Sequence, residues 1–314
     1  MVEGVRKHSE LRLCGMAQGV DGDFHPEAGK NLAAEFGAPP YFEDYRRMLD
    51  EVRPDIVCVN SRYDMNGPVS AECLRRGIHC FTEKSVALSF DTLSELKAAA
   101  KSGGAKIAGM HAMRYDPEFF AAWEALQSGV IGNPRIITVR KSYKFGSKRP
   151  EFYKSREFYG GTILWVGIHA LDLAWFFGGP LNIVSAMHSR RDNFGYGDCE
   201  SSSMVAFAGR DGGLIGSLTA DYYQPQSSDR HGDDQIRVAG EGGVIEVAHG
   251  KARLTTHDKK TVELAVNPGP GFFYEFCREV QGDGKCRVSM EETFEVTAAA
   301  LTARDMADKN MTRL

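Results

Sequence analysis

No run of about 18 apolar residues occurs in the chain, so nothing in it reads as a membrane span. The opening MVEGVRKH has no apolar segment and does not read as a secretion signal. Cysteine is sparse and scattered: Cys14, Cys58, Cys73, Cys80, Cys199, Cys277 and Cys286. Their number is odd and no CxxC occurs, which argues against a disulfide framework or a cysteine zinc site. HExxH, GxSxG and GKS/T are missing too, so zinc catalysis, a nucleophile elbow and a P-loop have no support and no metal site is expected. Positive charge is also short, with 38 Lys and Arg against 42 Asp and Glu. A nucleic-acid footprint needs a basic excess or stripe, and none is there. These absences predict a reduced, cytoplasmic globular protein with no nucleic-acid or membrane partner.

What is present is ordinary globular material: 314 residues, 42% hydrophobic and 25% charged, enough for two domains. The first third alternates strand and helix. Strands are expected over 11–17, 55–60 (DIVCVN), 78–81 (IHCF) and 105–110. Helices are expected over 27–36, 45–51, 70–76 and 91–101, the last with Leu93, Leu96, Ala99 and Ala100 as its apolar stripe. Such a rhythm is that of a doubly wound parallel sheet, and DIVCVN reads as a strand buried on both faces. Near residue 112 the rhythm changes. A helix over 117–129 leads to the alternating strand 135–143, and an unusually apolar helix follows over 163–177. Alternating strands at about 183–188, 203–208, 214–220, 235–239, 243–248 and 252–255 predict a large, mostly antiparallel sheet with one open face. Helices over 272–280 and 291–306 close the chain. The division drawn is 1–115 and 116–314, with the last helix a candidate to pack back on the first domain.

Three groups of residues could carry chemistry. Glu83-Lys84 follows the IHCF strand, where ligands of parallel sheets bind. A lysine there can donate to a hydroxyl or act as acid or base, and the same pair also reads as a solvated ion pair. His169 and Asp172 share a helix face with Trp165 in GGTILWVGIHALDLAWFFGG. A carboxylate-held histidine suits proton transfer, and equally a structural pair at a domain seam. The third is the basic and aromatic stretch Arg140, Lys141, Tyr143, Lys144, Lys148, Arg149, Tyr153, Lys154, Arg156 and Tyr159. In an acidic chain it fits a polar or anionic small substrate, a cofactor or another subunit better than nucleic acid.

Taken in order, YFEDYRRMLD (41–50), PDIVCVN (54–60), RRGIHCFTEKSVALS (75–89), GMHAMRYDP (109–117), GVIGNPR (129–135), the Gly160-Gly161 pair with His169 and Asp172, and DDQIRVAGEGGVIEV (233–247) resemble the Gfo/Idh/MocA family of oxidoreductases. The resemblance implies a Rossmann-type domain and a C-terminal α/β domain whose open sheet forms a homodimer or homotetramer. It implies NAD or NADP as cofactor and a hydroxyl or keto group of a sugar, cyclitol or related polyol as substrate. By the same resemblance Lys84 and His169 are the catalytic candidates. Asp21, Asp23, Ser61, Arg62, Glu83, Lys84 and Arg114 would face the cofactor. Tyr143, Trp165, Asp172 and His169 would face the substrate.

The chain departs from the family pattern at several points. Ser85 stands for the proline of Glu-Lys-Pro, Ser61-Arg62 for Thr-Pro, Asn66 for a histidine and Trp165 for an aspartate. The GxGxxG fingerprint is absent, and LRLCGMA reads as the second strand of the fold. The first strand and glycine loop are thus expected ahead of Met1. The alternative these departures suggest is a non-catalytic relative acting as sensor, scaffold or complex subunit.

Overall fold

A computed structural model describes residues 2–19, 26–145, 149–189 and 197–311. In chain order it opens with α1 (Val2–Lys7), β1 (Met16–Ala17), α2 (Pro26–Glu35), β2 (Tyr41–Phe42), α3 (Tyr45–Val52), β3 (Ile56–Val59), α4 (Tyr63–Arg75), β4 (His79–Thr82), α5 (Phe90–Gly103) and β5 (Ile107–Gly109). There follow α6 (Pro117–Gln127), β6 (Pro134–Ser142), α7 (Arg156–Tyr159), a π-helical turn over Ile163–Gly167 and α8 (Ile168–Gly178). The chain goes on through β7 (Leu181–His188), β8 (Ser202–Gly209), β9 (Ile215–Asp221), β10 (Gln235–Gly240), β11 (Gly243–Ala248), β12 (Lys251–Thr256), β13 (Val262–Glu263), α9 (Phe272–Val280) and α10 (Met290–Met311). Two compact units result. The first joins Met1–Met110 with Pro150–Tyr159 and Pro270–Phe294; the second joins His111–Arg149 with Gly160–Gly269 and Glu295–Leu314.

In the first unit β3, β4 and β5 form a parallel sheet, with Ile56 opposite His79 and Cys80 opposite Ile107. The helices form where the sequence places local signals. Ser89 caps α5 by accepting from the Thr92 N–H at 3.1 Å. Gly104, left-handed at φ 66°, ends it. The predicted stripe Leu93, Leu96, Ala99 and Ala100 is buried. α4 starts at Tyr63, earlier than expected, and keeps Pro68 inside it. The fully buried Asn66 tethers that early start, its side chain bridging the ends of two strands. Its Oδ1 accepts from Ser61 N at 3.0 Å and its Nδ2 donates to Glu83 O at 3.3 Å.

Two strand expectations change. Of 11–17 only Met16–Ala17 is strand, paired in parallel with Tyr41–Phe42. DIVCVN is not buried on both faces, since Cys58 is exposed. The physical reason is its edge position: β3 pairs with β4 and has no second ladder among the described residues. Two late helices contribute to the first unit: α9, whose Phe272, Phe273 and Phe276 surround Phe81 at 4.7–5.7 Å, and the first turn of α10, where Thr293 Oγ1 accepts from Gly109 N at 3.1 Å. The last helix belongs to the second unit from Glu295 onward. There Asp308 binds His188 Nε2 at 2.8 Å and Asn310 donates to Ala186 O at 2.9 Å.

The second unit is built on an eight-stranded sheet of order β13-β12-β11-β10-β6-β9-β8-β7. All neighbours are antiparallel except β6 and β9. Alternation along the strands sends Ile137, Val139, Leu218, Val205, Phe207, Ile236, Val238, Ile245 and Val247 into the core. α6 packs there against β11 and β12, and α8 against β6 and β9. The other face leaves Ile136, Met204 and Ile215 exposed. By length and mean hydropathy the stretch Arg156–Gly178 could cross a bilayer, but 89% of that window is buried inside the protein.

Packing of α4 on α5 allows no side chain at Gly103, where a Cβ would lie 1.7 Å from the Leu74 carbonyl oxygen. Gly103→Ala is expected to cost about 3 kcal/mol, the upper end for overpacking. A urea midpoint unchanged from wild type would contradict this.

Candidate active site

In the first unit the carboxyl ends of β3 and β4 carry the candidate lysine. β4 ends at Thr82, and Glu83 N still reaches Val59 O at 2.8 Å, so the ladder holds the next residues in place. Glu83, Lys84, Ser85 and Ser61 are all buried. The Lys84 ammonium lies 3.2 Å from Glu83 Oε1 and 5.9 Å over the Tyr63 ring. The Lys84–Ser85 peptide bond is cis. Burial raises the Glu83 carboxyl above its ordinary range, while the neighbouring ammonium pulls the other way. An ion pair with its side chains 5% and 9% exposed is not a solvated one.

The segment Pro150–Tyr159 builds an aromatic wall in this unit. Tyr63 meets Phe152 edge-on at 5.3 Å, and Tyr153 lies 4.8 Å from Tyr159. The hydroxyls of Tyr63 and Tyr153 share a hydrogen bond of 2.5 Å. Arg62, expected at a cofactor, is engaged elsewhere. It forks onto Asp64 at 2.6 and 2.8 Å and stacks 4.1 Å from Phe158. Asp21 and Asp23 lie outside the described residues.

In the second unit Gly160 and Gly161 take left-handed φ of 83° and 93°, which favours glycine, and turn the chain into the π-helical segment. Glu200 fixes that entry. Its Oε1 accepts from Thr162 N at 2.9 Å, and its carbonyl from Thr162 Oγ1 at 2.5 Å. Trp165 lies within the π-helical segment and His169 in the first turn of α8, 7% exposed. π-bulges are frequent at functional sites.

Asp172 sits one turn beyond His169, but its carboxylate is taken by Arg114. Arg114 Nε lies 3.0 Å from both oxygens and Nη2 2.7 Å from Oδ1. Both side chains are 1% exposed, and Phe176 lies 4.8 Å from the guanidinium. Helical spacing placed Asp172 near His169, and its carboxylate is held by the Arg114 guanidinium, whose fork matches it better than one imidazole N–H does. Arg114, expected at a cofactor, is thus the partner of Asp172 in this unit.

The basic and aromatic stretch is divided. Lys141, Tyr143 and Lys144 lie in the second unit, while Tyr153, Lys154, Arg156 and Tyr159 lie in the first. Lys141 is buried, 2.5 Å from Asp234 and 4.5 Å over the Tyr143 ring. Asp116 stands near both charges, and burial pushes its carboxyl up to about 6. Sequence reading missed Asp116, Asp234, Glu200 and Tyr63. The one available signal was the acidic pair Asp233-Asp234 just ahead of β10. No cluster of metal-ligating side chains occurs among the described residues.

The comparisons with known proteins bear on what this arrangement serves. Residues 22–111 match the oxidoreductase family with an NAD-binding Rossmann fold, and residues 119–246 match the GFO/IDH/MocA C-terminal domain. A solved protein from Thermotoga maritima, provisionally assigned as an oxidoreductase, is 33% identical, with a TM-score of 0.92 over 98% of this chain and 95% of its own. The chain belongs to the Gfo/Idh/MocA family. Among curated relatives, the D-apiose dehydrogenase of Paraburkholderia graminis is 21% identical over 75% of this chain. The scyllo-inositol 2-dehydrogenase (NAD(+)) of Bacillus subtilis is 23% identical over 82%. The chain spans 61% of the first relative's length and 74% of the second's.

Removing one member of a fully buried ion pair strands the other. Asp172→Ala is therefore expected to cost about 3–5 kcal/mol, and Asp172→Asn, which keeps an acceptor, less. Denaturant unfolding that shows a loss below about 1 kcal/mol for the alanine variant would refute the assignment.

Proposed function

We propose that this chain is an NAD(P)-dependent oxidoreductase acting on a hydroxyl or keto group of a sugar, cyclitol or related polyol. One observation carries the reading: Lys84 is held buried against Glu83, just beyond a parallel strand, in a chain of this family. The D-apiose and scyllo-inositol dehydrogenases among its relatives support the substrate class.

The residues present fit the nicotinamide half of the cofactor. Ser61, Glu83 and Lys84 converge at the carboxyl ends of parallel strands, where ligands of such sheets bind. The sequence shows no GxGxxG for the diphosphate. When bound, the nicotinamide supplies hydride transfer. Lys84 Nζ holds or moves the proton of the reacting oxygen, and Glu83 fixes the ammonium in place. The Tyr63, Phe152 and Tyr153 wall limits water around it. In the second unit His169 is the other proton-transfer candidate, its helix entry set by Glu200 and Thr162. Trp165 offers a ring face on which a sugar can stack.

The open sheet face is proposed as the contact between subunits, supported by Ile136, Met204 and Ile215 standing exposed on it. All seven cysteines are free thiols, which suits a cytoplasmic setting.

Turnover of NAD and NADP across cyclitols and aldoses tests the reading. Lys84→Ala and His169→Ala are each expected to lower kcat/KM by about 100-fold or more, the usual scale of general acid–base catalysis. Unchanged activity in both variants overturns the role assignment, and failure of the folded chain to bind NADH or NADPH favours the non-catalytic alternative. Glu83→Gln takes away the negative partner that favours the protonated ammonium. In the keto-reduction direction Lys84 must carry its proton, so activity is lost as pH rises through its titration. That alkaline limb should move to lower pH. A limb that stays in place removes Glu83 from the mechanism.

A further inference from the structure

In the reaction above Tyr63 only limits water, yet it stands beside the one buried lysine that moves a proton. Its place follows from how α4 begins. Asn66 bridges Ser61 N and Glu83 O, which ties the first turn of α4 to the end of β4. Tyr63 is the first residue of that helix and is buried, as Lys84 is. The Lys84 ammonium lies 5.9 Å from the centre of the Tyr63 ring, inside the roughly 6 Å over which an aromatic face attracts a cation. Burial removes the water that would screen so long a contact.

The ring is itself fixed in place. Phe152 and Tyr153 meet it edge-on at 5.3 and 5.7 Å, and Tyr159 lies 6.3 Å away. Its hydroxyl shares a 2.5 Å hydrogen bond with that of Tyr153. The segment Pro150–Tyr159 thus reaches the lysine through Tyr63.

The charges around this contact are accounted for. Glu83 lies 3.2 Å from the ammonium. Arg62, ahead of α4, forks onto Asp64. In Pro150–Tyr159, Glu151 and Lys154 pair with each other at the surface, Arg156 is half-buried and Glu157 is exposed. The remaining titratable groups are the phenols of Tyr63, Tyr153 and Tyr159. A ring face and a carboxylate both favour the charged ammonium, the form that keto reduction requires.

We propose that Tyr63 is a positioning residue for Lys84: its ring face holds the ammonium beside Glu83, and the Tyr153 hydroxyl holds the ring. The role rests on the proton-transfer reading of Lys84 in the preceding section and names what keeps that proton in place.

The test follows the titration of Lys84 in the full chain by NMR of 13C-labelled lysine, with the signal assigned by its loss in Lys84→Arg. Tyr63→Leu removes the face, and pentafluorophenylalanine at position 63 keeps the ring's shape while reversing its quadrupole. Both are expected to move the Lys84 titration to lower pH. Both should also lower kcat/KM for keto reduction by about 10-fold, the scale of a desolvated cation–π contact. NADH affinity, read by fluorescence, should stay within about twofold. Tyr63→Phe should recover most of what Tyr63→Leu loses, and it removes the phenol as a titrating group. Tyr63→Phe and Tyr153→Phe break the same hydrogen bond, so the double variant should lose no more than either alone. If Tyr63→Leu fails to fold, the pentafluorophenylalanine variant decides alone. The role is overturned if the Lys84 titration stays in place in the folded pentafluorophenylalanine variant, or if Tyr63→Phe moves it as far as Tyr63→Leu. A titration that moves as expected in a chain that neither binds NADH nor turns over strikes the oxidoreductase reading and leaves the ring contact supported.

Discussion

An ion inside a protein must meet an opposite charge or a full set of hydrogen bonds, because desolvation otherwise costs several kcal/mol. Each chemically interesting place in this chain answers that demand. Lys84 is met by Glu83, Arg114 by Asp172 and Lys141 by Asp234. The answers differ in geometry. The Arg114–Asp172 fork uses both carboxylate oxygens and buries both partners. Lys84 lies 3.2 Å from a Glu83 oxygen. Asp234 keeps one oxygen over.

Periodicity made most of the fold legible, because burial on one face is a local property. The α5 stripe and the alternation of β6 through β12 can be counted off the sequence, and both are in place. Partner choice was not legible. His169 and Asp172 are three residues apart, whereas Arg114 is 58 residues from Asp172 and only tertiary packing brings it there. The same holds for Asp234, which reaches Lys141 across 93 residues. DIVCVN is apolar enough for a central strand, but the sequence does not say how many edges are paired, and Cys58 is exposed on β3. Nor does composition show that Pro150–Tyr159 leaves the second unit to line the lysine site in the first.

The departures from the family pattern are not equivalent. At the strand ends they are repaired locally. Asn66, in place of a histidine, supplies one acceptor and one donor, and both are used to hold Ser61 and Glu83. Arg62 arrives with its own counter-charge two residues on. These exchanges leave the surroundings of Lys84 charge-balanced. Trp165 is different, because it removes a carboxylate beside His169 and tryptophan has no acceptor to offer. Asp172 cannot stand in, since Arg114 holds both of its oxygens. The Asp172 carboxylate of α8 is thus engaged by Arg114, while the buried Lys84 has its own counter-charge in Glu83.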